Sequence, residues 1–232
     1  MVAGPDRAGL LPVDWRLYLV TDPHLGGGRD AVPDIVYEAV LGGVGVVQVR
    51  DKECDDDEFT SQAAAVLRAV ERACTETGRH VPVFVNDRAD VARELGLHLH
   101  IGQRDLPFDR ARRLLPEELM LGLSIESDAQ LAEALAGPGP APDVVGVSPV
   151  WSTATKTDTA AALGPAGADR LARAAARGGV RAVGIGGVNA DNVAELAATG
   201  LDGVCVVSAI MAAPDARAAA TDLLARWDAA RA

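Results

Sequence analysis

Eight short apolar runs alternate along this chain with longer amphipathic stretches, and that rhythm limits the fold more than any other feature. The runs are Arg16–Val20, Gly45–Val49, Val81–Val85, Leu97–His100, Met120–Leu123, Asp143–Val147, Ala182–Ile185 and Gly203–Val207. They are nearly continuous in Val, Ile and Leu, as parallel strands buried on both faces must be. Between them the pattern predicts helices over Asp30–Leu41, Asp55–Thr77, Arg88–Leu95, Pro107–Leu115, Asp128–Ala136, Pro165–Arg177, Ala190–Thr199 and Asp215–Trp227. Asp55, Ser127 and Asn189 stand where a side chain caps exposed N–H groups, and Pro107 and Pro165 suit a first helical turn. Gly78, Gly137, Gly178 and Gly200 fall where helix ends favour positive φ.

Strict alternation with short connections predicts a closed α/β fold, a (β/α)8 TIM barrel. It would be a single domain over residues 1–232, with 1–14 as an N-terminal extension. The competing arrangement is an open doubly wound sheet with a dinucleotide fingerprint at its first strand–helix turn. That turn reads Thr21-Asp22-Pro23-His24-Leu25-Gly26-Gly27-Gly28 and does not match G-x-G-x-x-G. The Gly/Pro-rich 137–142 segment reads as a helix-to-strand loop rather than a domain linker.

At 49% hydrophobic residues the chain can bury a large core. It has no apolar run near the ~20 residues of a membrane span, and its first residues lack the basic-then-apolar order of a secretory leader. A cytoplasmic protein with no membrane partner is expected, and a homo-oligomer is left open. Cys54, Cys74 and Cys205 are odd in number and without C-x-x-C spacing, so they read as reduced thiols. The net charge of −11 argues against nucleic acid. It also means that an anionic ligand must be held by local positive groups. Of 22 basic residues only Lys52 and Lys156 are lysines. An ammonium is not equivalent to a guanidinium in a tight site, so these two positions draw attention.

In barrels of this kind the loops after the strands carry the chemistry. After the second strand, Gln48-Val49-Arg50-Asp51-Lys52 places Gln48, Arg50 and Lys52 on one side if the chain stays extended. That set could cradle phosphate, or form a solvated charged turn. Asp87 and Asp105 end the third and fourth strands. Their carboxylates could converge on Mg²⁺, or each could cap the following helix. His98 and His100 share a strand face but lack a third zinc ligand, and read as packed barrel residues. Ser124, after the fifth strand, has no triad partner and reads as a hydrogen-bonding group at the mouth or as a helix-start serine. A long polar loop after the sixth strand holds Thr153, Ala154, Thr155 and Lys156, which suits a ligand-binding lid or a Thr-rich surface loop. Gly186-Gly187 after strand seven and Val207-Ser208 after strand eight stand where barrels commonly bind phosphate through backbone N–H groups.

Taken together, Gln48-Val49-Arg50-Asp51-Lys52, Asn86-Asp87-Arg88, Gly102-Gln103-Arg104-Asp105-Leu106-Pro107, Thr153-Ala154-Thr155-Lys156 and Ile185-Gly186-Gly187 resemble the thiamine-phosphate synthase family. The resemblance runs from Leu17 to Ile210 and implies a transferase. Its substrates would be 4-amino-5-hydroxymethyl-2-methylpyrimidine diphosphate and 4-methyl-5-(2-hydroxyethyl)thiazole phosphate, joined with loss of diphosphate. It places Gln48, Val49, Arg50, Asp51, Lys52 and Asn86 around the pyrimidine diphosphate, with Lys156 on its diphosphate and Ser124 near the ring. It gives Asp87 and Asp105 to Mg²⁺, and Thr153, Ala154, Thr155, Gly187, Val207 and Ser208 to the thiazole phosphate. Arg50, Lys52, Ser124 and Lys156 would act on the reacting groups. The sequence departs from the family at Glu126, where a histidine is common, and at Ser148 and Trp151-Ser152. A thiazole tautomerase would need an acid/base residue instead of a diphosphate site. A non-catalytic phosphate sensor would not need two lysines and a carboxylate pair.

Overall fold

The computed structural model describes residues 12–137, 139–152 and 161–232. Eight parallel strands close in sequence order, with β1 paired to both β2 and β8. They are β1 (Leu17–Val20), β2 (Val46–Val49), β3 (Val83–Asn86), β4 (His98–Ile101), β5 (Leu121–Ile125), β6 (Val144–Val147), β7 (Arg181–Ile185) and β8 (Gly203–Val206). Every strand expected from the apolar runs is present within two residues at either end.

Helices α1 (Val32–Leu41), α2 (Asp56–Thr77), α3 (Ala89–Leu95), α4 (Phe108–Leu114), α5 (Asp128–Ala136), α6 (Gly164–Arg177), α7 (Val193–Ala197), α8 (Ser208–Met211) and α9 (Ala216–Ala229) accompany them. Asp55 and Ser127 cap α2 and α5 by accepting the N–H groups of Glu58 and Gln130. Asn189 does not cap α7. Its side chain accepts the Asp191 N–H while Asn192 accepts the Asn189 N–H, a closed turn that delays the helix to Val193. Gly78 has the left-handed geometry expected of it, but Gly137, Gly178 and Gly200 do not. At Gly137 the following proline favours the extended backbone observed. After α6 it is Gly179 that takes φ 75°. The four-residue α8 leaves no mark in the sequence pattern, because one turn is too short to show a helical period.

Register decides which residues enter the barrel. The pairs Val20↔Gln48, Gln48↔Phe84, Asn86↔His100 and Ser124↔Gly146 lie on the inner face, and alternate residues face the helices. The outward set, including Leu19, Val47, Val49, Val85, Leu99 and Ile125, merges with the helices into one buried layer. The inward set is smaller. Trp15, Tyr18, Phe84 and His98 pack as tilted ring pairs with centroids 5.0–6.2 Å apart and fill the lower barrel. Val13 packs against this floor, and Asp14 pairs with Arg16. These two residues, assigned to the extension by sequence, therefore join the barrel, whereas residues 1–11 lie outside the described residues.

His98 gives this interior a pH dependence. Its Nδ1 accepts the Met120 N–H at 3.0 Å, which only an unprotonated nitrogen can do. Burial, with a smaller contribution from His80, pushes its pKa down to about 4 from the usual 6.5. Between those values the unfolded chain binds more protons than the folded one, so stability is present above the unfolded value and lost as pH falls. At about 1.4 kcal/mol per pKa unit, the loss should reach roughly 2–4 kcal/mol. Denaturant unfolding between pH 7 and pH 4 should show this slope in the native chain and a flatter one in His98→Gln. Equal slopes would contradict the assignment.

Candidate active site

The strand ends at the upper mouth surround a cavity of about 710 Å³, within the range of about 300–1,000 Å³ usual for small-molecule sites. Tyr18, Gln48 and Asn86 reach it from β1, β2 and β3, and His100 and Ser124 from β4 and β5. Gln48 is buried and donates through Nε2 to the Tyr18 hydroxyl at 2.8 Å. His100 Nε2 lies 3.1 Å from Ser124 Oγ. The His100 ring occupies space that only glycine leaves open, since a Cβ on Gly122 would fall 2.4 Å from its Nδ1.

Charge gathers on the β2–β4 side. Arg50 and Lys52 both line the cavity, and the Lys52 ammonium pairs with Asp87 Oδ2 at 3.1 Å. Asp105, from the loop after β4, accepts the Gly102 N–H at 2.6 Å. Asp87 sits at φ 64°, a left-handed conformation costly for a residue other than glycine. Its Oδ1 is buried with no hydrogen-bond partner among the described residues. Burial first, and the adjacent Asp105 carboxylate second, push the Asp87 pKa up to about 6. For Asp105, burial acts in the raising direction, but Asp87, the Gly102 N–H and Lys52 outweigh it and hold the carboxyl below its usual value. The carboxylates therefore meet on one side of the mouth rather than facing apart. Neither caps its following helix: Arg88 and Pro107 hold those positions.

The opposite side has different chemistry. Gly186 and Gly187 adopt φ 108° and 68°. A Cβ on Gly187 would stand 2.9 Å from the Trp151 Cβ, because the loop after β6 runs directly alongside. That loop continues the sheet, with Val150 and Trp151 donating to the carbonyls of Ile185 and Gly186. Gly187, Val207 and Ser208 line the cavity, and Ser208 opens α8. The first turn of a helix leaves N–H groups without intrahelical partners, so this side presents donors where the β2–β4 side presents charges.

The structure thus brings Gln48, Arg50, Lys52, Asn86, Asp105, Ser124, Gly187, Val207 and Ser208 around one cavity, with Asp87 joined through Lys52 and Asp105. Val49 and Asp51 are not around it: Val49 belongs to the outer core, and the Asp51 side chain is fully buried against Arg29. Any ligand contact from these two would be through backbone. Thr153, Ala154, Thr155 and Lys156 lie outside the described residues. Tyr18, His100 and Gln103 line the cavity without having been singled out for it. The inward phase of β1 and β4 could have found the first two. No group of three or more His, Cys, Asp or Glu gathers to hold a metal among the described residues, and His98 is packed below the cavity against Phe84.

A raised carboxyl pKa means that the ionised form is unfavourable in the fold at neutral pH. Asp87→Asn removes that cost and suits the left-handed backbone better, at the loss of a half-exposed pair with Lys52 worth about 1 kcal/mol or less. Without divalent cations, its unfolding free energy at pH 7.5 should exceed that of the native chain by roughly 1–2 kcal/mol. A lower value would show that the pair with Lys52 dominates.

Comparison with known proteins agrees with this geometry. The family model for thiamine monophosphate synthase matches residues 17–210. The thiamine-phosphate synthase of Albidiferax ferrireducens is 41% identical over 209 residues, covering 90% of each chain. The thiamine biosynthesis multifunctional protein ThiED of Corynebacterium efficiens is 50% identical over 94% of this chain, which spans only 29% of that longer protein. Among solved structures, the thiamine phosphate pyrophosphorylase of Pyrococcus furiosus superposes with a TM-score of 0.80 at 27% identity, covering 94% of this chain and 98% of its own. The chain belongs to the thiamine monophosphate synthase family.

Proposed function

We propose that this barrel is a thiamine-phosphate synthase that joins the pyrimidine diphosphate to the thiazole phosphate and releases diphosphate. The observation that carries this reading is the two-sided mouth, with cations and paired carboxylates on one side and backbone donors on the other. A leaving diphosphate suits the first side, and a retained monophosphate suits the second. The family, and the relatives named thiamine-phosphate synthase, support the same assignment.

The carboxylate pair fits a hard divalent cation. Asp87 Oδ1 is buried without a hydrogen-bond partner among the described residues, and Asp105 lies beside it. An all-oxygen pair that leaves room for phosphate oxygens and waters suits Mg²⁺. Asp87 and Asp105 would hold Mg²⁺, which when bound neutralises charge on the diphosphate. In the reaction the bond between the pyrimidine methylene carbon and the diphosphate oxygen breaks, and the electron pair departs with the oxygen. The carbocation-like methylene then takes the lone pair of the thiazole nitrogen. Arg50 and Lys52 offset the negative charge that develops on the leaving group. Lys156 is assigned the same role by resemblance.

Gln48, oriented by Tyr18, and Asn86 hold the pyrimidine ring, with Ser124 oriented by His100 beside it. Gly187, Val207 and Ser208 anchor the thiazole phosphate, and Thr153, Ala154 and Thr155 are assigned to the same ligand by resemblance. Val49 and Asp51 contribute backbone only. Fixing both anions aligns nitrogen and methylene carbon, and such alignment replaces an entropic cost of several kcal/mol. No protein base or nucleophile is needed. The free thiols suit a cytoplasmic setting, and no helix among the described residues is long and apolar enough to cross a membrane.

Diphosphate release should require both substrates and Mg²⁺, and stop with a chelator. Asp87→Ala and Lys156→Ala should each lower kcat by about 100-fold or more with the fold retained by circular dichroism. Full activity in either variant would remove the mechanism. Release from the pyrimidine diphosphate alone at the full rate would remove the two-site reading.

A further inference from the structure

The loop that carries Arg50 and Lys52 is held by a residue outside the cavity. Asp51, between them, has a side chain with no solvent exposure. Its Oδ1 accepts the N–H groups of Glu53 and Cys54 at 2.9 and 3.3 Å, folding the chain into a tight turn. Its Oδ2 accepts Arg29 Nε at 2.6 Å. Arg29 comes from the β1 loop, just after Gly26, Gly27 and Gly28, all at positive φ. The same loop touches this segment again where the Thr21 hydroxyl accepts the Arg50 N–H at 3.0 Å. From the β3 side, Arg88 donates to the Cys54 carbonyl at 2.8 Å and pairs with Asp56. Thus the turn that aims Lys52 at Asp87 is braced from both neighbouring loops, and on the β1 side the link to a buried carboxylate is Arg29–Asp51, beside exposed contacts of Arg29 with Glu58 and of His24 with Glu53.

We propose that Arg29 is a positioning residue for the diphosphate half of the site, acting through the buried Asp51 carboxylate to fix Arg50 and Lys52. It is not a catalytic residue, since it does not line the cavity. Burial alone would raise the Asp51 carboxyl, but the hydrogen bond and charge of Arg29 hold it low, at about 2. Losing Arg29 unties the turn from the β1 loop, and it also leaves a buried carboxylate without its cation, an unfavourable state relieved by protonation or by opening of the turn. Opening withdraws Lys52 from Asp87. Gly26 packs on the Met211 carbonyl, where a Cβ would approach within 2.4 Å. The β1 loop therefore rests on α8 at one end and grips the cationic turn at the other. The thiazole-phosphate half, which Arg29 does not touch, should be unaffected.

This inference rests on the proposed function, and its test separates the two. Binding of inorganic diphosphate with Mg²⁺ is measured by calorimetry, KM for each substrate by diphosphate release, and stability by thermal unfolding. The proteins are the native chain, Arg29→Met and the double variant Arg29→Met/Asp51→Asn. In the double variant no unpaired buried charge remains, and the amide oxygen of the introduced side chain keeps an acceptor for the Glu53 and Cys54 N–H groups. Arg29→Met should weaken diphosphate binding and raise KM for the pyrimidine diphosphate by about tenfold to a hundredfold. KM for the thiazole phosphate should stay within about twofold. The double variant should regain thermal stability without regaining diphosphate affinity. Recovery of both together would reduce Arg29 to a stabilising residue and overturn the inference, as would native affinity in Arg29→Met. If the native chain itself binds no diphosphate, the functional reading fails first.

Discussion

Closing eight parallel strands into a ring sends alternate residues of every strand inward, and everything at the mouth follows from that phase. Below, the inward positions are filled by Trp15, Tyr18, Phe84 and His98. One inward step further up, the residues become Gln48, Asn86, His100 and Ser124, all polar and all bordering the cavity. The outward neighbours stay apolar because the helices cover them. A one-residue slip in any strand would exchange these sets, placing an amide against the helices and a valine in the cavity. Packing thus protects the polar constellation as a consequence of protecting the core.

Electrostatics divides what packing assembles. The chain carries a net charge of −11, yet the proposed reaction requires its mouth to hold anions. One side offers full charges, with Arg50 and Lys52 lining the cavity and Lys52 paired to Asp87 beside Asp105. Two adjacent carboxylates are unfavourable alone, as the raised pKa of Asp87 records, and Asp87 adds the cost of left-handed backbone. Such costs gathered at one place are typical of sites where function has priority over stability. The other side uses glycines and a helix start, whose donors need no net charge. The β1 loop meets both sides, gripping Asp51 through Arg29 and resting on Met211 through Gly26.

The strands, their order and most helices were legible because they depend on periodicity, which survives without tertiary information. The site's main charges were legible because loops after strands are few and Lys52 is one of only two lysines in the chain. What could not be read depends on contacts between distant segments. Asp51 looked like part of the cationic motif, but a residue 22 positions earlier turns it inward. Asn189 looked like a helix cap, but Asn192 closes a turn on it. The role of His100 required Gly122 on the neighbouring strand, because no other residue leaves room for its ring. Side-chain direction at a strand end is set by the partner strand, and the chain alone does not show it.

The central claim is that one mouth holds two anions at once, in separate places and by different means. The most direct measurement is a calorimetric titration of inorganic phosphate into protein already saturated with diphosphate and Mg²⁺, with a crystal structure of the resulting complex. The account predicts that phosphate still binds, with density beside Gly187 and Ser208 and diphosphate remaining near Lys52, Asp87 and Asp105. Competition between the two anions, or both densities on the same residues, would contradict it.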